Sequence, residues 1–134
     1  MIRLNRAVEA MKAAEDKAKE LGITISIAVV DDYGVLLAFS RMDGALHVSP
    51  RFSQAKARTS AALGLPTSDV AHYAGEDKPY YGVNMAFGGE FMVIAGGLPI
   101  KEGEKVAGAV GVGGSLDVNQ DVECAKAAVA VLQK

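Results

Sequence analysis

The sequence predicts an α+β fold in which an antiparallel sheet is covered by helices. Two pairs of strand-like segments each contain a short turn, and helical patterns precede, separate and follow these pairs. Consecutive hairpins favour antiparallel pairing, whereas a doubly wound parallel sheet alternates single strands with helices. The 134 residues suffice for one domain, residues 1–134, with the element order α-β-β-α-α-β-β-α.

The first three elements are marked by periodicity and by turn residues. Apolar residues recur at helical spacing over residues 4–21, and Gly22 is placed to end this helix. Residues 23–30 then alternate with a period of two and are rich in β-branched side chains, which is typical of a strand. A turn at residues 32–34 and a second strand over 35–40 complete the first hairpin.

The next elements are helical and then irregular. Ser49 and Pro50 predict the start of a second long helix, and Gly64 predicts its end. Thr67 begins a short helix that is expected to end near Tyr73. Residues 75–89 contain four glycines and form a loop longer than a compact domain usually keeps without a functional use.

The last three elements repeat the hairpin and add a helix. Residues 91–95 are expected to form a strand, and Gly96, Gly97, Leu98 and Pro99 a turn that interrupts it. A charged turn at 101–105 precedes a strand over 106–112. Apolar residues at helical spacing over 118–132 predict a final helix, capped by Asp117 or Asn119.

Composition excludes several classes of protein. With 14 basic and 16 acidic side chains, the chain lacks the positive charge of a nucleic-acid binder. It contains no apolar run long enough to cross a membrane. Cys124 is the only cysteine, so an internal disulfide is impossible, and a cytoplasmic location is expected. The 22 Ala, 15 Gly and 15 Val allow close approach of backbones and favour a homo-oligomer.

Arg41, Asp43 and Lys56 are the first candidates for chemistry. Arg41 and Asp43 lie two positions apart, so the pair is interpreted either as an anion-binding arginine held by aspartate or as a structural ion pair. Lys56 lies at the edge of a buried helical stripe, where it is expected either to extend to water or to contact an acidic ligand or Asp43. In an enzyme, Asp43, Lys56 or a tyrosine would transfer a proton, and Asp43 and Lys56 are the predicted catalytic residues.

The irregular middle of the chain supplies side chains that can ligate haem iron. His72, Tyr80, Met85 and Met92 carry imidazole, phenol and thioether groups. A histidine is more often a surface or capping residue, and that alternative stays open for His72. The glycine pairs do not have the spacing of phosphate-binding loops.

The succession of motifs resembles the GlcG/HbpS family of small haem-binding domains, which also form the C-terminal part of PduO-type proteins. The resemblance spans nearly the whole chain. The residues that carry it are Ile27-Ala28-Val29-Val30-Asp31, Gly34, Arg41-Met42-Asp43-Gly44-Ala45, Ser53, Ala55-Lys56-Ala57, Thr59, Thr67, Ala95-Gly96-Gly97, Pro99 and Gly108-Ala109-Val110-Gly111-Val112. It implies a profilin-like antiparallel sheet of about five strands, assembly from dimer to octamer, and haem as cofactor, with iron handling or haem degradation in some members.

Three hypotheses follow for function. In the leading one, haem occupies a cleft between the irregular segment and the turn of Gly96, Gly97 and Pro99, with Phe91 beside it. Arg41 or Lys56 would then hold the propionates, and His72 or Tyr80 the iron. In the second, the same cleft belongs to an isomerase, lyase or hydrolase that binds a small organic acid through Arg41. In the third, the chain is an assembly partner whose glycines serve packing alone.

Overall fold

The computed structural model describes residues 1–133 and confirms the predicted order of helices and strands. A 3-10 segment inside the irregular region is the one addition to that order. The elements are α1 (Leu4–Leu21), β1 (Ser26–Asp31), β2 (Leu36–Arg41), α2 (Ser49–Leu63), α3 (Thr67–Tyr73), the 3-10 segment (Val83–Gly88), β3 (Gly97–Glu102), β4 (Lys105–Gly113) and α4 (Val118–Leu132). Gly22 and Gly64 end α1 and α2 in the left-handed conformation, as their positions predicted.

The sheet of the described residues has four strands in the order β2-β1-β4-β3, all antiparallel to their neighbours. Each hairpin is local, and the two hairpins join where β1 pairs with β4. The family resemblance implied about five strands, so this expectation is corrected to four.

Helices cover both faces of the sheet. Ile27 and Val29 of β1 point into a core shared with α1 and α4, whereas Ala28 and Val30 point into a smaller core under α2. This alternation follows from the two-residue period of a strand, and it explains why the buried strand β1 is apolar at consecutive positions.

Helix α2 lies unusually close to the sheet, because glycines line the strands beneath it. A Cβ atom on Gly111 of β4 would collide with the carbonyl oxygen of Ser53, and one on Gly97 of β3 would lie 2.5 Å from the carbonyl oxygen of Lys56. The small side chain of Ala57 fills the remaining space. Helix and sheet therefore meet backbone to backbone along this line.

The prediction for residues 91–99 is wrong in its boundaries. Residues 91–95 form no strand, and β3 begins at Gly97, so Gly97, Leu98 and Pro99 belong to the strand instead of a turn. The N–H of Met92 donates to Thr59 Oγ1 at 2.9 Å, and the N–H of Gly97 donates to Thr67 Oγ1 at 2.9 Å. The side chain of Thr59 on α2 thus satisfies a backbone donor that the apolar pattern had assigned to a strand, and that of Thr67 on α3 satisfies the first backbone donor of β3.

Within the described part of the chain, no helix has both the length and the apolar composition needed to cross a membrane.

Candidate functional site

A groove runs along the solvent side of α2, between this helix and residues 89–92. It measures about 470 Å³ and is called the outer groove below. Its lining residues come from the first three turns of α2 and from the end of the irregular segment: Val48, Arg51, Phe52, Gln54, Ala55, Arg58, Gly89, Glu90 and Met92. No function was predicted from the sequence for this face of α2.

Two arginines give the outer groove a positive edge, and Glu90 adds one negative charge to its lining. Arg51 and Arg58 are seven residues apart, which places them on one face of the helix about 10 Å apart along its axis. Within residues 1–133, neither guanidinium forms an ion pair with a carboxylate. Phe52, Ala55 and Met92 supply an apolar surface between them. The arrangement suits a flat, mostly apolar ligand that carries negative groups at its edge.

A second groove, of about 400 Å³, lies on the other side of the same segment and is called the aromatic groove below. Tyr80, Tyr81, Phe87 and Phe91 line it, together with Leu63 at the end of α2. The rings of Phe87 and Phe91 meet edge to face with their centroids 5.6 Å apart. Tyr80 and Phe91, both expected to bind ligand, are thus brought together here.

His72 lies outside the lining of both grooves. It is exposed on α3, with its ring 5.6 Å from that of Tyr73 in an edge-to-face contact. Tyr73 in turn lies 6.4 Å from Tyr80, centroid to centroid. His72 is therefore near the tyrosine cluster but on its margin, and its role as an iron ligand stays a prediction.

Lys56 is buried, so the expectation that it extends to water is wrong. Its side chain is 1% exposed, and its Nζ donates to the carbonyl oxygen of Val112 at 2.8 Å and to Asp121 Oδ2 at 3.3 Å. Asp121 is equally buried and accepts a second hydrogen bond, at Oδ1, from the N–H of Ser115 at 3.0 Å. The sequence had indicated Asp43 as a partner for Lys56, and the structure supplies Asp121 instead.

Burial shifts the pKa values of Lys56 and Asp121 in opposite directions. Loss of water around Lys56 lowers its pKa, an effect that the neighbouring Asp121 carboxylate partly offsets. Loss of water raises the pKa of Asp121, against the influence of Lys56. Burial thus drives each group toward its neutral form. Asp121 could have been suspected from sequence, because it falls on the same helical stripe as Ala125 and Ala128.

Arg41 and Asp43 do not form the expected ion pair. Arg41 Nη2 donates to the carbonyl oxygen of Ala45 at 2.8 Å, and no carboxylate of the described residues pairs with it. Both residues line a separate depression with Glu15 and Lys19 at the end of β2. The structure therefore does not bring Arg41, Asp43 and Lys56 into one catalytic site.

Gly96 and Gly97 do not border a cleft, which corrects the position predicted for them. Both are buried beneath α2, where a Cβ on Gly96 would lie 2.6 Å from the carbonyl oxygen of Val112. Pro99 lies within the edge strand β3, opposite Ala109. An edge strand tolerates proline because its outward side needs no hydrogen-bond donor.

Comparison with known proteins identifies relatives over nearly the whole chain. The family model for "Haem degrading protein HbpS-like" matches residues 2–130. Protein GlcG of Escherichia coli is 40% identical over 100 residues, which make up 75% of this chain and 72% of GlcG. These matches confirm the resemblance inferred from the sequence.

Two solved structures share the fold. The crystal structure of a PduOC–haem complex has a TM-score of 0.92 and 25% identity, and the match covers 97% of this chain and 94% of that one. A double mutant of HbpS from Streptomyces reticuli has a TM-score of 0.90 and 30% identity, over 98% of this chain and 86% of that one. The α+β architecture is therefore confirmed.

Proposed function

We propose that this chain binds haem, because it belongs to the HbpS-like family of haem-degrading proteins. A similar structure, with a TM-score of 0.92, is that of a PduOC–haem complex. The proposal places haem in the outer groove. The observation that carries this placement is a pair of arginines that no carboxylate of residues 1–133 engages, beside an apolar surface.

The groove complements haem through its apolar surface and its two arginines, which together with Glu90 leave the lining one net positive charge. Haem is a broad apolar ring with two propionates on one edge, and Phe52, Ala55 and Met92 offer apolar contact while Arg51 and Arg58 offer charge-assisted hydrogen bonds. Arginine suits this task, because its planar guanidinium binds a carboxylate through two parallel N–H donors. Lys56, the alternative that the sequence suggested, is already bonded inside the protein.

Met92 is the iron-ligand candidate that belongs to this groove. A methionine thioether is one of the side chains that hold haem iron in proteins, and Met92 lines the groove directly. Bound haem iron supplies electron-transfer and oxygen chemistry, which protein ligands and surrounding polarity adjust. His72 and Tyr80 remain the competing candidates on the aromatic side of the segment.

Hemin titration followed at the Soret band tests the placement. The double variant Arg51→Gln/Arg58→Gln is expected to bind hemin at least about tenfold more weakly, since a hydrogen bond to a charged group contributes about 1.5–3 kcal/mol. Arg41→Gln is the matched control, because it removes an arginine that does not line the groove, and it is expected to leave binding unchanged. Weakening by the control, with no effect of the double variant, would contradict the placement.

Ligand variants then identify the residue at the iron. Met92→Leu keeps the apolar surface but removes the thioether, so it is expected to move the Soret and visible bands of bound hemin. His72→Ala and Tyr80→Phe serve as comparisons and are expected to leave the spectrum unchanged. A spectral change in either comparison, and none in Met92→Leu, would show that His72 or Tyr80 is the iron ligand and would contradict the assignment to Met92.

We also propose that the chain works as a homo-oligomer. The irregular segment presents Tyr81, Met85 and Phe87 to solvent, each more than two-thirds exposed, and Leu116 is 95% exposed. Grouped apolar side chains of this size favour contact with another protein surface. Size-exclusion chromatography with light scattering tests this directly, and a monomer at micromolar concentration would contradict it.

A further inference from the structure

A small cavity, separate from both grooves, reaches the buried pair of Lys56 and Asp121. It measures about 150 Å³ and is called the lysine cavity below. Its other lining residues are mainly apolar and come from the start of α2, from Ile94 and from the turn before α4: Leu46, Val48, Ser49, Phe52, Gly114, Ser115, Leu116 and Val118. It touches the outer groove only through Val48 and Phe52.

Among residues 1–133, one N–H donor of Lys56, at the polar end of this cavity, is not hydrogen-bonded. A protonated lysine has three N–H donors. Lys56 uses one on the carbonyl oxygen of Val112 and one on Asp121, and the third has no partner among residues 1–133. Because the charges of Lys56 and Asp121 cancel, a charged ligand would enter without a counter-charge. An uncharged molecule with one acceptor oxygen and a short apolar chain fits these surroundings.

We propose that the lysine cavity binds a small aldehyde or ketone and that Lys56 Nζ forms an imine with its carbonyl carbon. The size is appropriate, since apolar cavities of about 150 Å³ hold molecules as large as benzene. A lysine in an apolar cavity beside a proton acceptor is a general arrangement for imine chemistry. The proposal does not depend on haem binding.

Each atom of the reaction is accounted for by the pair and the ligand. The Lys56 ammonium first passes a proton to Asp121 Oδ2, 3.3 Å away. The neutral amine then attacks the carbonyl carbon, and its remaining protons move to the carbonyl oxygen, which leaves as one water molecule. A carbon–nitrogen double bond replaces the carbon–oxygen double bond, and nothing is oxidised or reduced. Burial assists the first transfer, because it lowers the pKa of Lys56 and raises that of Asp121.

Reductive trapping of the purified full chain tests the proposal. Butanal is the probe, and cyanoborohydride converts any imine into a stable butyl-lysine that peptide mass mapping locates. Lys126, exposed on the same helix as Asp121, is the internal comparison. Butylation several-fold faster at Lys56 than at Lys126 is expected. Butylation confined to Lys126 and other surface lysines would overturn the proposal.

A variant at the rim of the cavity shows whether the probe enters there. Ile94→Trp places a bulky ring at the opening and is expected to slow butylation of Lys56 several-fold while leaving Lys126 unaffected. Val35→Trp, an exposed apolar position on the first hairpin, is the matched control and is expected to change neither rate. Equal trapping of Lys56 in wild type and Ile94→Trp would overturn the assignment of the cavity as the binding site.

Discussion

Replacing Lys56 by methionine is expected to destabilise the protein strongly. Methionine keeps most of the side-chain length but removes the donors to Asp121 and to the carbonyl oxygen of Val112, which are bonded at 3.3 and 2.8 Å. Asp121, with a side chain 2% exposed, would keep only the N–H of Ser115 as a partner. Removing one member of a buried ion pair costs about 3–5 kcal/mol, because the other charge is left without compensation.

This loss is large compared with the stability of a single domain. The free energy of unfolding of such domains is about 5–15 kcal/mol, so Lys56→Met would remove a substantial share of it. At a typical dependence on urea, the midpoint of unfolding would fall by about 2 M. Urea titration followed by far-ultraviolet circular dichroism measures the shift. Lys126→Met, at an exposed position on α4, is expected to change stability by no more than about 0.5 kcal/mol.

The double variant Lys56→Met/Asp121→Leu distinguishes destabilisation by an unpaired charge from destabilisation by altered packing. Replacing both charges with apolar groups removes the uncompensated carboxylate, so the double variant is expected to be more stable than Lys56→Met alone. A loss below about 1 kcal/mol in Lys56→Met would refute the argument, because a carboxylate left unpaired in the interior costs more than that.

Three further predictions concern packing, titration and capping. Gly111→Ala is expected to destabilise the protein by about 1–3 kcal/mol or more, since the new Cβ collides with the backbone of α2. Gly75→Ala is the control in the same urea assay, because a Cβ at Gly75 makes only ordinary van der Waals contacts. Burial raises the pKa of the Cys124 thiol to about 11, above its usual 9.0. The thiol therefore loses its proton at lower pH in the unfolded chain than in the folded one. The free energy of unfolding is expected to fall by about 2 kcal/mol as pH rises from 9 to 11. A Cys124→Ala variant should lose this part of the pH profile, and retention of the full slope would count against the assignment. Asp117→Ala removes the side chain that caps α4 and is expected to cost about 1 kcal/mol, measured as a lower melting temperature.

Local chemistry explains why the order of the elements could be predicted from sequence. Gly22 and Gly64 end their helices through their own backbone preference, and the cap at Asp117 contacts a residue two positions away. Such signals act over one turn of chain and need no tertiary partner. For the same reason the first hairpin was placed within a few residues of its observed position.

Long-range contacts explain why the site could not be predicted in the same way. A Gly-Gly pair such as Gly96 and Gly97 is compatible both with a turn and with close packing against a helix. The position of α2, which the local sequence does not reveal, determines which of the two forms. The partner of Lys56 lies 65 residues away in the chain. The outer groove likewise requires residues 89–92 to lie beside α2, which periodicity along either segment does not reveal.

The junction of the two hairpins at the centre of the sheet has a consequence for folding. Strands β1 and β4 pair residues that lie roughly 80 positions apart, and closing a loop of that length costs about 4 kcal/mol of chain entropy. Each hairpin is local, so pairing of β1 with β4 is expected to be the slow, late step of folding. The connection between the halves runs through the exposed segment around the 3-10 turn. A cut there would leave two fragments with complementary sheet edges, suited to reassembly as a split-protein reporter whose signal requires β1 and β4 to meet.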